Sequence, residues 1–330
     1  MNNRTITKKI LHWYDYNKRS LPWRKKCSQR KREYFTLISE FMLQQTQVST
    51  VIPYFNNFLK KIPNITALAK VEEKKLFKCW QGLGYYSRAR NLKKTSKIIV
   101  KKFNKKLPEN LEELKTLPGI GEYTASAIMA IVFNKPIIPL DGNIERLIKR
   151  ILNLKKEYET KKENLIKQKK IFGISKRSSD YAQALMEIGA LICKPKNPLC
   201  DQCPLTKNCL SFKKNDFEIN SKFRKKINKS FLVTCYTKDN KILLVKNNKF
   251  KFLKNLLIFP MKEISPKRSS KNLKKKINFK MSNMNMNIHL ELIKRSKNFS
   301  KGLWITKSRL NNIALPTFTK KIFNSVEGHL

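Results

Sequence analysis

Two acidic residues in this sequence lie where they could carry out chemistry together. Glu40 lies in residues 37–43, where nearly every neighbour is apolar, so we expect a half-buried carboxyl group with a raised pKa. Asp141 lies just before a predicted helix, within residues 139–143. An acid with a raised pKa and a second, ionised carboxylate form the pair that breaks glycosidic bonds through an oxocarbenium-like state.

Each carboxylate also has an ordinary structural explanation. Asp141 stands where a helix N-cap is expected, and an aspartate in isolation most often has that role. Glu40 could instead form an ion pair with a nearby arginine such as Arg88 or Arg90. The residues alone leave both explanations open.

Four cysteines fall within 17 residues, in the pattern C-x6-C-x2-C-x5-C. They are Cys193, Cys200, Cys203 and Cys209. The N-terminus lacks the apolar stretch of a secretory signal, so structural disulfides are a poor explanation. Zinc sites more often pair two C-x2-C knuckles across a longer spacer, whereas an iron–sulfur cluster accepts uneven loops. The spacing therefore indicates a metal centre and favours a cluster.

A glycine-bearing turn, L-P-G-I-G at 117–121, lies between two predicted helices. Such a turn exposes backbone N–H groups at the start of the second helix, which can bind a phosphate without reading base sequence. Gly119 and Gly121 are the residues that this arrangement needs. The motif alone is also compatible with any helix–helix turn.

The hydrophobic periodicity divides the chain into two parts. Up to about residue 193 it is helical, with Ser178 to Asp180 as a helix N-cap. The helical segments are 34–47, 65–80, 87–103, 124–133, 144–154 and 180–193. Beyond a polar, Lys-rich stretch the pattern favours strands and one last helix at 318–323. The predicted strands are 231–237, 241–246, 256–261, 288–294 and 303–307.

Charge is the most conspicuous global property of the chain. Its 330 residues contain 72 Lys and Arg against 23 Asp and Glu, a net charge of +49. A positive field favours nucleic acid as a partner, but Lys, Asn and Ile are enriched together, as A+T-rich coding would produce. We attribute most of the excess to composition. No apolar run approaches the roughly 20 residues of a membrane helix, so a soluble intracellular protein is expected.

Together these segments resemble the helix-hairpin-helix DNA glycosylases of the endonuclease III superfamily, and among them the MutY-type adenine glycosylases. The similarity runs from Leu11 to Cys209. Its most specific parts are L-P-W-R at 21–24, S-E-F-M-L-Q-Q-T-Q-V at 39–48 and G-L-G-Y-Y-S-R-A-R at 82–90. The hairpin, L-D-G-N at 140–143 and the four-cysteine loop complete it.

The resemblance implies both the fold and the domain boundaries. Residues 1–212 would be a mainly α, two-lobed helix-hairpin-helix glycosylase domain whose loop 193–209 holds a [4Fe–4S] cluster. Residues 213–229 would form a basic linker. Residues 230–330 would be a smaller α+β, MutT-like domain that recognises the mismatch. The acidic helix of MutT enzymes is absent, so no pyrophosphatase activity is expected from it.

The resemblance also implies roles for individual residues. Glu40 would protonate adenine at N7 and later activate water, and Asp141 would stabilise the cation at C1′, with Tyr123 and Asn143 assisting. The residues that would line the adenine pocket are Trp23, Arg24, Leu43, Val48 and Glu187. Those that would contact DNA and the opposite base are Gln45, Thr46, Leu83, Tyr85, Gly119 and Gly121.

Tyr123 separates this chain from the bifunctional relatives. Those enzymes carry a lysine two residues after the second hairpin glycine, and its amine captures the sugar as a Schiff base. Tyr123 has no amine, so a monofunctional glycosylase is expected. The alternatives are a bifunctional endonuclease III-like lyase and a non-catalytic DNA-binding relative, and the presence of both Glu40 and Asp141 opposes the second.

The chain departs from the family in its C-terminal domain. The family has a loop with a Phe-Ser-His trio that contacts 8-oxoguanine, and alignment through His289 places Asn285, Met286 and Asn287 there. We expect this replacement to weaken the preference for 8-oxoguanine over guanine. The expected partner is double-stranded DNA with A:8-oxoguanine or A:G mispairs. We also expect a monomer, without membrane attachment, in a bacterial cytoplasm and associated with the nucleoid when bound to DNA.

Overall fold

The structure, a computed structural model, describes residues 3–154, 162–217, 226–265, 275–294, 302–310 and 313–327. The chain forms two compact units. Unit 1 comprises Met1–Val71 and Arg90–Ser221, and unit 2 comprises Glu72–Ala89 and Lys222–Leu330. The expected domain 1–212 differs from unit 1 chiefly at Glu72–Ala89. That segment groups with unit 2, where the Gln81 amide donates a hydrogen bond to the Leu315 carbonyl, at 2.9 Å.

Unit 1 consists of helices joined by short turns. Two of its helices begin at asparagine caps: the Asn64 side chain accepts from the amide of Ala67, and that of Asn110 accepts from two amides of its first turn. The helices are α1 (Asn3–Asn17), α2 (Gln29–Leu43), α3 (Val48–Lys61), α4 (Ile65–Lys70), α6 (Ser87–Lys102, whose first residues belong to unit 2), α7 (Leu111–Thr116), α8 (Glu122–Ile131), α9 (Gly142–Ile151), α10 (Lys162–Gln168), α11 (Ser178–Glu187) and α12 (Leu210–Lys213). A π-helical turn, Ile188–Ile192, follows α11.

One apolar core of unit 1 fixes the ends of two helices that carry candidate site residues. It packs α1, α9 and α11 through buried side chains such as Ile10, Ile148 and Leu185. Asp141 lies at the start of α9 and Glu187 at the end of α11. Their backbone positions are therefore set by the burial of the helices that carry them.

The helical predictions are right in kind and wrong at several boundaries. The segment 34–47 is not one helix, because α2 ends at Leu43 and Gln45 adopts a left-handed backbone with φ of 61°. The segment 65–80 divides at Val71, which leaves the helical conformation between α4 and the next helix, Glu73–Trp80. The N-cap predicted at Ser178–Asp180 is also wrong: helix α11 begins at Ser178, and its cap residue, Arg177, makes no side-chain cap bond.

Helices α7 and α8 form the expected hairpin, and its first glycine is required by the local geometry. Gly119 has φ of 84°, and a Cβ there would lie 2.9 Å from both Asn91 Cβ and Phe41 Cε1. The Gln44 amide donates to the Gly119 carbonyl at 3.2 Å. Gly121 has neither constraint: its backbone is extended and a Cβ would meet nothing within 4 Å.

Unit 2 contains α5 (Glu73–Trp80) and a mixed β-sheet with helices. The described strands are β1 (Ile227–Lys238), β2 (Lys241–Lys246), β3 (Leu257–Ile258), β4 (Met261–Ile264), β5 (Lys275–Met281), β6 (Met284–Lys294) and β7 (Leu303–Thr306). They run in the order β3-β2-β1-β6-β5, with β4 paired to β1 and β7 to β2. The β1–β6 pair is parallel and the other pairs are antiparallel.

Helix α14 (Thr317–Val326) completes the core of unit 2, after the short helix α13 (Lys307–Leu310). Phe318 and Ile322 of α14 are buried with Phe231 and Leu290 of the sheet. The α+β class expected for this region is therefore confirmed, whereas its MutT-like identity stays a prediction. Strand β5 was not predicted, and residues 218–225 of the expected linker lie outside the described residues.

The segment Asn285 to Asn287 is part of strand β6, not the loop expected from the alignment. Strand β5 pairs with it on one side and β1 on the other. Met286 points into the apolar core and is 1% exposed, whereas Asn285 donates to the Asn228 side chain at 2.9 Å. The alternation of a strand explains why the thioether is buried while the two amides lie on the opposite face.

Among the described residues, no helix has both the length and the apolar character needed to cross a bilayer.

Candidate active site

Glu40 lies on the inner face of α2 and is almost completely buried, with 5% of its surface exposed. The pKa of its carboxyl group is raised to about 7, chiefly by burial and also by the neighbouring Asp141. A hydrogen bond from Tyr123 and the charge of Arg24 act in the opposite direction. The ion pair with Arg88 or Arg90 considered above is not among these influences.

Tyr123 is placed beside Glu40 by the first turn of α8. Burial raises the pKa of the Tyr123 hydroxyl well above its usual value, and the negative charges of Glu40 and Asp141 add to this effect. The phenol therefore stays protonated and donates its hydrogen bond to the Glu40 carboxylate. Tyr123 thus orients Glu40 without contributing a nucleophilic amine.

Asp141 caps helix α9 and at the same time faces the buried acid. Its Oδ1 accepts from the backbone N–H of Ile144 at 2.7 Å, and its Oδ2 accepts from the Asn143 side-chain amide at 3.0 Å. Burial raises the pKa of Asp141, while these two hydrogen bonds lower it. The structural role and the chemical role proposed for this residue are therefore compatible. The cap fixes the position of the Asp141 carboxylate, and the charge of that carboxylate raises the pKa of Glu40.

Arg146 connects Asn143 to the start of the cysteine loop. Its Nη2 donates to Asn143 Oδ1 at 2.8 Å and to the Gly189 carbonyl at 2.5 Å, and its Nε donates to the Cys193 carbonyl at 2.6 Å. Gly189 packs so closely on Asn143 that a Cβ would lie 2.6 Å from Asn143 Cβ. The orientation of Asn143 is thus fixed by the π-helical turn that precedes the loop.

Glu187 is fully buried and is held by two arginines. Arg19 binds it in a bidentate manner, at 2.7 Å from Nε to Oε2 and 2.8 Å from Nη2 to Oε1. Arg24 Nη1 lies 2.8 Å from Glu187 Oε1. Sequence reasoning missed Arg19, because in so basic a chain nothing but its position four residues before Trp23 distinguishes it.

One pocket of about 810 Å³ brings these residues together. Its volume is within the usual range for ligand sites. Of the predicted residues, it is lined by Trp23, Arg24, Glu40, Leu43, Thr46, Val48, Tyr123, Asp141, Asn143 and Glu187. Its lining also contains further cations, namely Lys18, Arg19, Lys25, Lys26, Arg32, Lys176 and Arg177. An uncharged planar group would fit the volume of the pocket, and a polyanion attached to that group would be attracted by the cations of the lining.

The remaining predicted contact residues lie outside this pocket. Gln45 is exposed in the turn after α2, and Gly119 and Gly121 belong to the hairpin. In unit 2, Leu83 is 6% exposed whereas Tyr85 is 47% exposed. Tyr85 is therefore the residue of this pair that offers its side chain to solvent.

The four cysteines of the loop surround a separate cavity. All four are free thiols, and the cavity is otherwise lined mainly by apolar groups such as Phe212 and by Arg150. Arg150 Nη1 lies 3.4 Å from Cys193 Sγ, and the backbone carbonyl of Arg150 lies 3.4 Å from Cys209 Sγ. Within the described residues, no group of three or more His, Cys, Asp or Glu side chains is placed so as to hold a metal ion.

Comparison with known proteins gives the family. Residues 38–172 match the HhH-GPD superfamily of base excision DNA repair proteins. The chain is 38% identical to the adenine DNA glycosylase of Buchnera aphidicola subsp. Baizongia pistaciae, over 96% of this chain and 95% of that one. It belongs to the adenine DNA glycosylase family. The human adenine DNA glycosylase is 37% identical over 61% of this chain and 38% of its own length.

A solved structure has the same helical fold as this member of the adenine DNA glycosylase family. A thermostable thymine-DNA glycosylase superposes with a TM-score of 0.57 and 26% identity, over 64% of this chain and 97% of its own. The Buchnera relative, in contrast, matches nearly the whole chain. Membership of the adenine DNA glycosylase family therefore includes the C-terminal region as well as the helices.

Proposed function

We propose that this protein is a monofunctional base excision repair glycosylase that hydrolyses the N-glycosidic bond of adenine mispaired with 8-oxoguanine or guanine. One observation carries the proposal: Glu40, whose pKa is raised to about 7, and Asp141 line one pocket. A carboxyl group with this pKa can be protonated at physiological pH, which a general acid requires. The similarity to adenine DNA glycosylases of Buchnera aphidicola and human supports adenine as the base released.

The chemistry follows from the poor leaving ability of the adenine anion. Once the nucleotide has rotated out of the duplex, protonated Glu40 donates its proton to adenine N7, and the bond to C1′ breaks. Positive charge at C1′ is stabilised by the Asp141 carboxylate, which Asn143 and the α9 N-terminus hold in place. Glu40, now ionised, accepts a proton from a water molecule whose oxygen bonds to C1′, and an abasic site remains.

The base itself would be recognised around Glu187. The buried carboxylate with its two arginines offers fixed acceptors and donors to a planar base edge, and Trp23 provides an aromatic face. The cations of the pocket lining would bind the phosphates on either side of the displaced nucleotide. No lysine stands at position 123, so strand cleavage through a Schiff base is not proposed.

We further propose that Cys193, Cys200, Cys203 and Cys209 bind a [4Fe–4S] cluster. Four free thiols around one cavity fit a multi-atom cluster. Such a cluster would tie the loop together. Iron and sulfide analysis of purified protein tests this, and Cys203→Ser is expected to lose both.

The preference for 8-oxoguanine over guanine is expected to be weak. Met286 is buried and cannot contact a base. The Asn285 and Asn287 amides, on the outer face of the sheet, are then the groups of this segment that could form hydrogen bonds with one. Loss of one or two hydrogen bonds to the damaged base reduces discrimination by roughly 1–3 kcal/mol. Single-turnover rates on the two mispairs test this, and a large preference at sub-saturating protein would contradict it.

An A:8-oxoguanine duplex treated with protein and then with alkali distinguishes the proposal from its alternatives. Alkali-dependent cleavage at adenine supports a monofunctional glycosylase. Cleavage without alkali would indicate a lyase, and no cleavage would indicate a DNA-binding relative. The protein is proposed to act as a monomer in a bacterial cytoplasm, at the nucleoid.

A further inference from the structure

A short loop of unit 2 holds an exposed aromatic ring in an unfavourable backbone conformation. The loop joins α5 to α6, and its residues Gly82, Gly84 and Tyr85 have φ of 109°, 71° and 45°. Glycine adopts such angles freely, whereas a tyrosine does so at a cost in free energy. Tyr85 nevertheless keeps this conformation with 47% of its surface exposed. Something in the fold must hold it there.

Arg88, in the first turn of α6, makes the contacts that could hold this loop. Its Nη2 donates to the Leu83 carbonyl at 2.9 Å and to the Gly84 carbonyl at 3.2 Å. Its guanidinium carbon lies 5.6 Å from the centroid of the Tyr85 ring and 5.5 Å from that of Trp80. Arg88 is 7% exposed, and burial lowers its pKa to about 10, so it stays charged at neutral pH.

Two further hydrogen bonds fix the base of the loop. Trp80 Nε1 donates to the Gly84 carbonyl at 3.2 Å, and Gln81 donates to the Leu315 carbonyl at 2.9 Å. Both bonds lie before Tyr85 in the chain and neither touches its ring. The Arg88 side chain, in contrast, binds the loop backbone and also faces the Tyr85 ring.

We propose that Arg88 is a positioning residue that presents Tyr85 for insertion into the base stack beside the mispair. The planar guanidinium can donate in its plane to the loop carbonyls and stack its face on the ring, which a lysine ammonium cannot do. The proposal rests on the proposed function only in that the duplex is the partner. It assigns Arg88 no contact with DNA and no part in bond cleavage.

The test measures unstacking of DNA without chemistry. Full-length Glu40→Gln protein at saturating concentration binds an A:8-oxoguanine duplex that carries 2-aminopurine next to 8-oxoguanine, and insertion of Tyr85 raises the fluorescence. Arg88→Met should reduce this rise by about fivefold, the effect of about 1 kcal/mol on such an equilibrium. Arg88→Lys should restore it in part. Arg30→Met, which removes a charge from an exposed position, is the matched control and should change nothing.

Coupling between the two residues separates positioning from general stabilisation. Once Tyr85→Ala has removed the ring, adding Arg88→Met should cause no further loss of signal. An unchanged fluorescence signal in Arg88→Met would overturn the proposal. It would also be overturned if Arg88→Met lowered the signal as much in Tyr85→Ala protein as in protein that keeps Tyr85. If Arg88→Met does not fold by circular dichroism, Arg88→Lys decides, and a signal equal to the parent would overturn it. The alkali assay on wild-type protein tests the proposed function separately, since the fluorescence variants perform no chemistry.

Discussion

At the scale of single residues, the buried carboxyl group of Glu40 sets the pH range in which adenine can be released. The proposed acid must be protonated, and burial holds its pKa at about 7. The single-turnover rate on an A:8-oxoguanine duplex should therefore fall as pH rises through about 7, by roughly tenfold per pH unit above it. Quenched-flow or manual quenching between pH 5.5 and 9 measures this. A rate that is flat or rises above pH 7 would show that another group supplies the proton.

The same burial should make Glu40 unfavourable for stability. Its pKa is 4.5 in an unfolded reference and about 7 in the folded chain. Between these values the folded state binds more protons, so the free energy of unfolding falls as pH rises from about 4.5 to about 7. Glu40→Gln removes this loss, and we expect it to be more stable than wild type by roughly 1–3 kcal/mol at pH 8.

Urea unfolding of both proteins at pH 5 and pH 8 measures the effect. The difference in the free energy of unfolding should be larger at pH 8, because titrations common to both proteins cancel. An equal difference at the two pH values would mean that folding does not raise the pKa of Glu40, because the folded and unfolded states would then lose this proton over the same pH range.

At the scale of secondary-structure elements, the hairpin between α7 and α8 tolerates a side chain at one glycine and not at the other. Gly119→Ala introduces a Cβ 2.9 Å from Phe41 and Asn91 at a left-handed φ, and should destabilise the protein by about 2–4 kcal/mol. The added Cβ of Gly121→Ala has no atom within 4 Å, so this variant should lose less than about 1 kcal/mol of unfolding free energy. Thermal unfolding compares the two variants, and similar losses would contradict the assigned turn geometry.

A second glycine pair tests the positioning of Asp141: Gly142 is the first residue of α9, and Gly189 lies in the π-helical turn that packs on Asn143. Gly189→Ala would push on Asn143, whose amide holds the Asp141 carboxylate, so the single-turnover rate should fall by about tenfold or more. Gly142→Ala adds a Cβ with nothing within 4 Å and should keep the wild-type stability. Single-turnover rates together with thermal unfolding separate the two effects. A fully active Gly189→Ala variant would show that Asn143 does not position the carboxylate.

The elements could be predicted from local pattern and most pocket residues from the family resemblance, while the boundaries of the elements depended on backbone details. The apolar surroundings of Glu40 predicted its burial, and the Leu-Asp-Gly-Asn segment predicted the cap at Asp141. The end of α2 could not be read in this way, because the left-handed residue there is Gln45, an ordinary polar residue. Arg19 and Arg146 were missed because their partners, Glu187 and Cys193, are distant in sequence and one partner atom is a backbone carbonyl.

At the scale of the whole molecule, the charge of +49 should govern DNA affinity more than selectivity. Each neutralised phosphate releases counterions, so affinity for undamaged duplex should fall steeply with salt, by about 10³ or more between 50 and 200 mM. Fluorescence anisotropy across this range gives the slope. A shallow slope, equivalent to the few phosphates near the hairpin, would show that most of the lysines do not meet DNA.

Direct detection of the released base tests the central claim most closely. Protein in excess over an A:8-oxoguanine duplex should release free adenine and form abasic sites in equal amounts, with no strand break before alkali. Glu40→Gln should bind the same duplex and release no adenine. Adenine release by Glu40→Gln at the wild-type rate, or abasic sites formed without free adenine, would contradict the assignment of Glu40 as the acid of an adenine glycosylase.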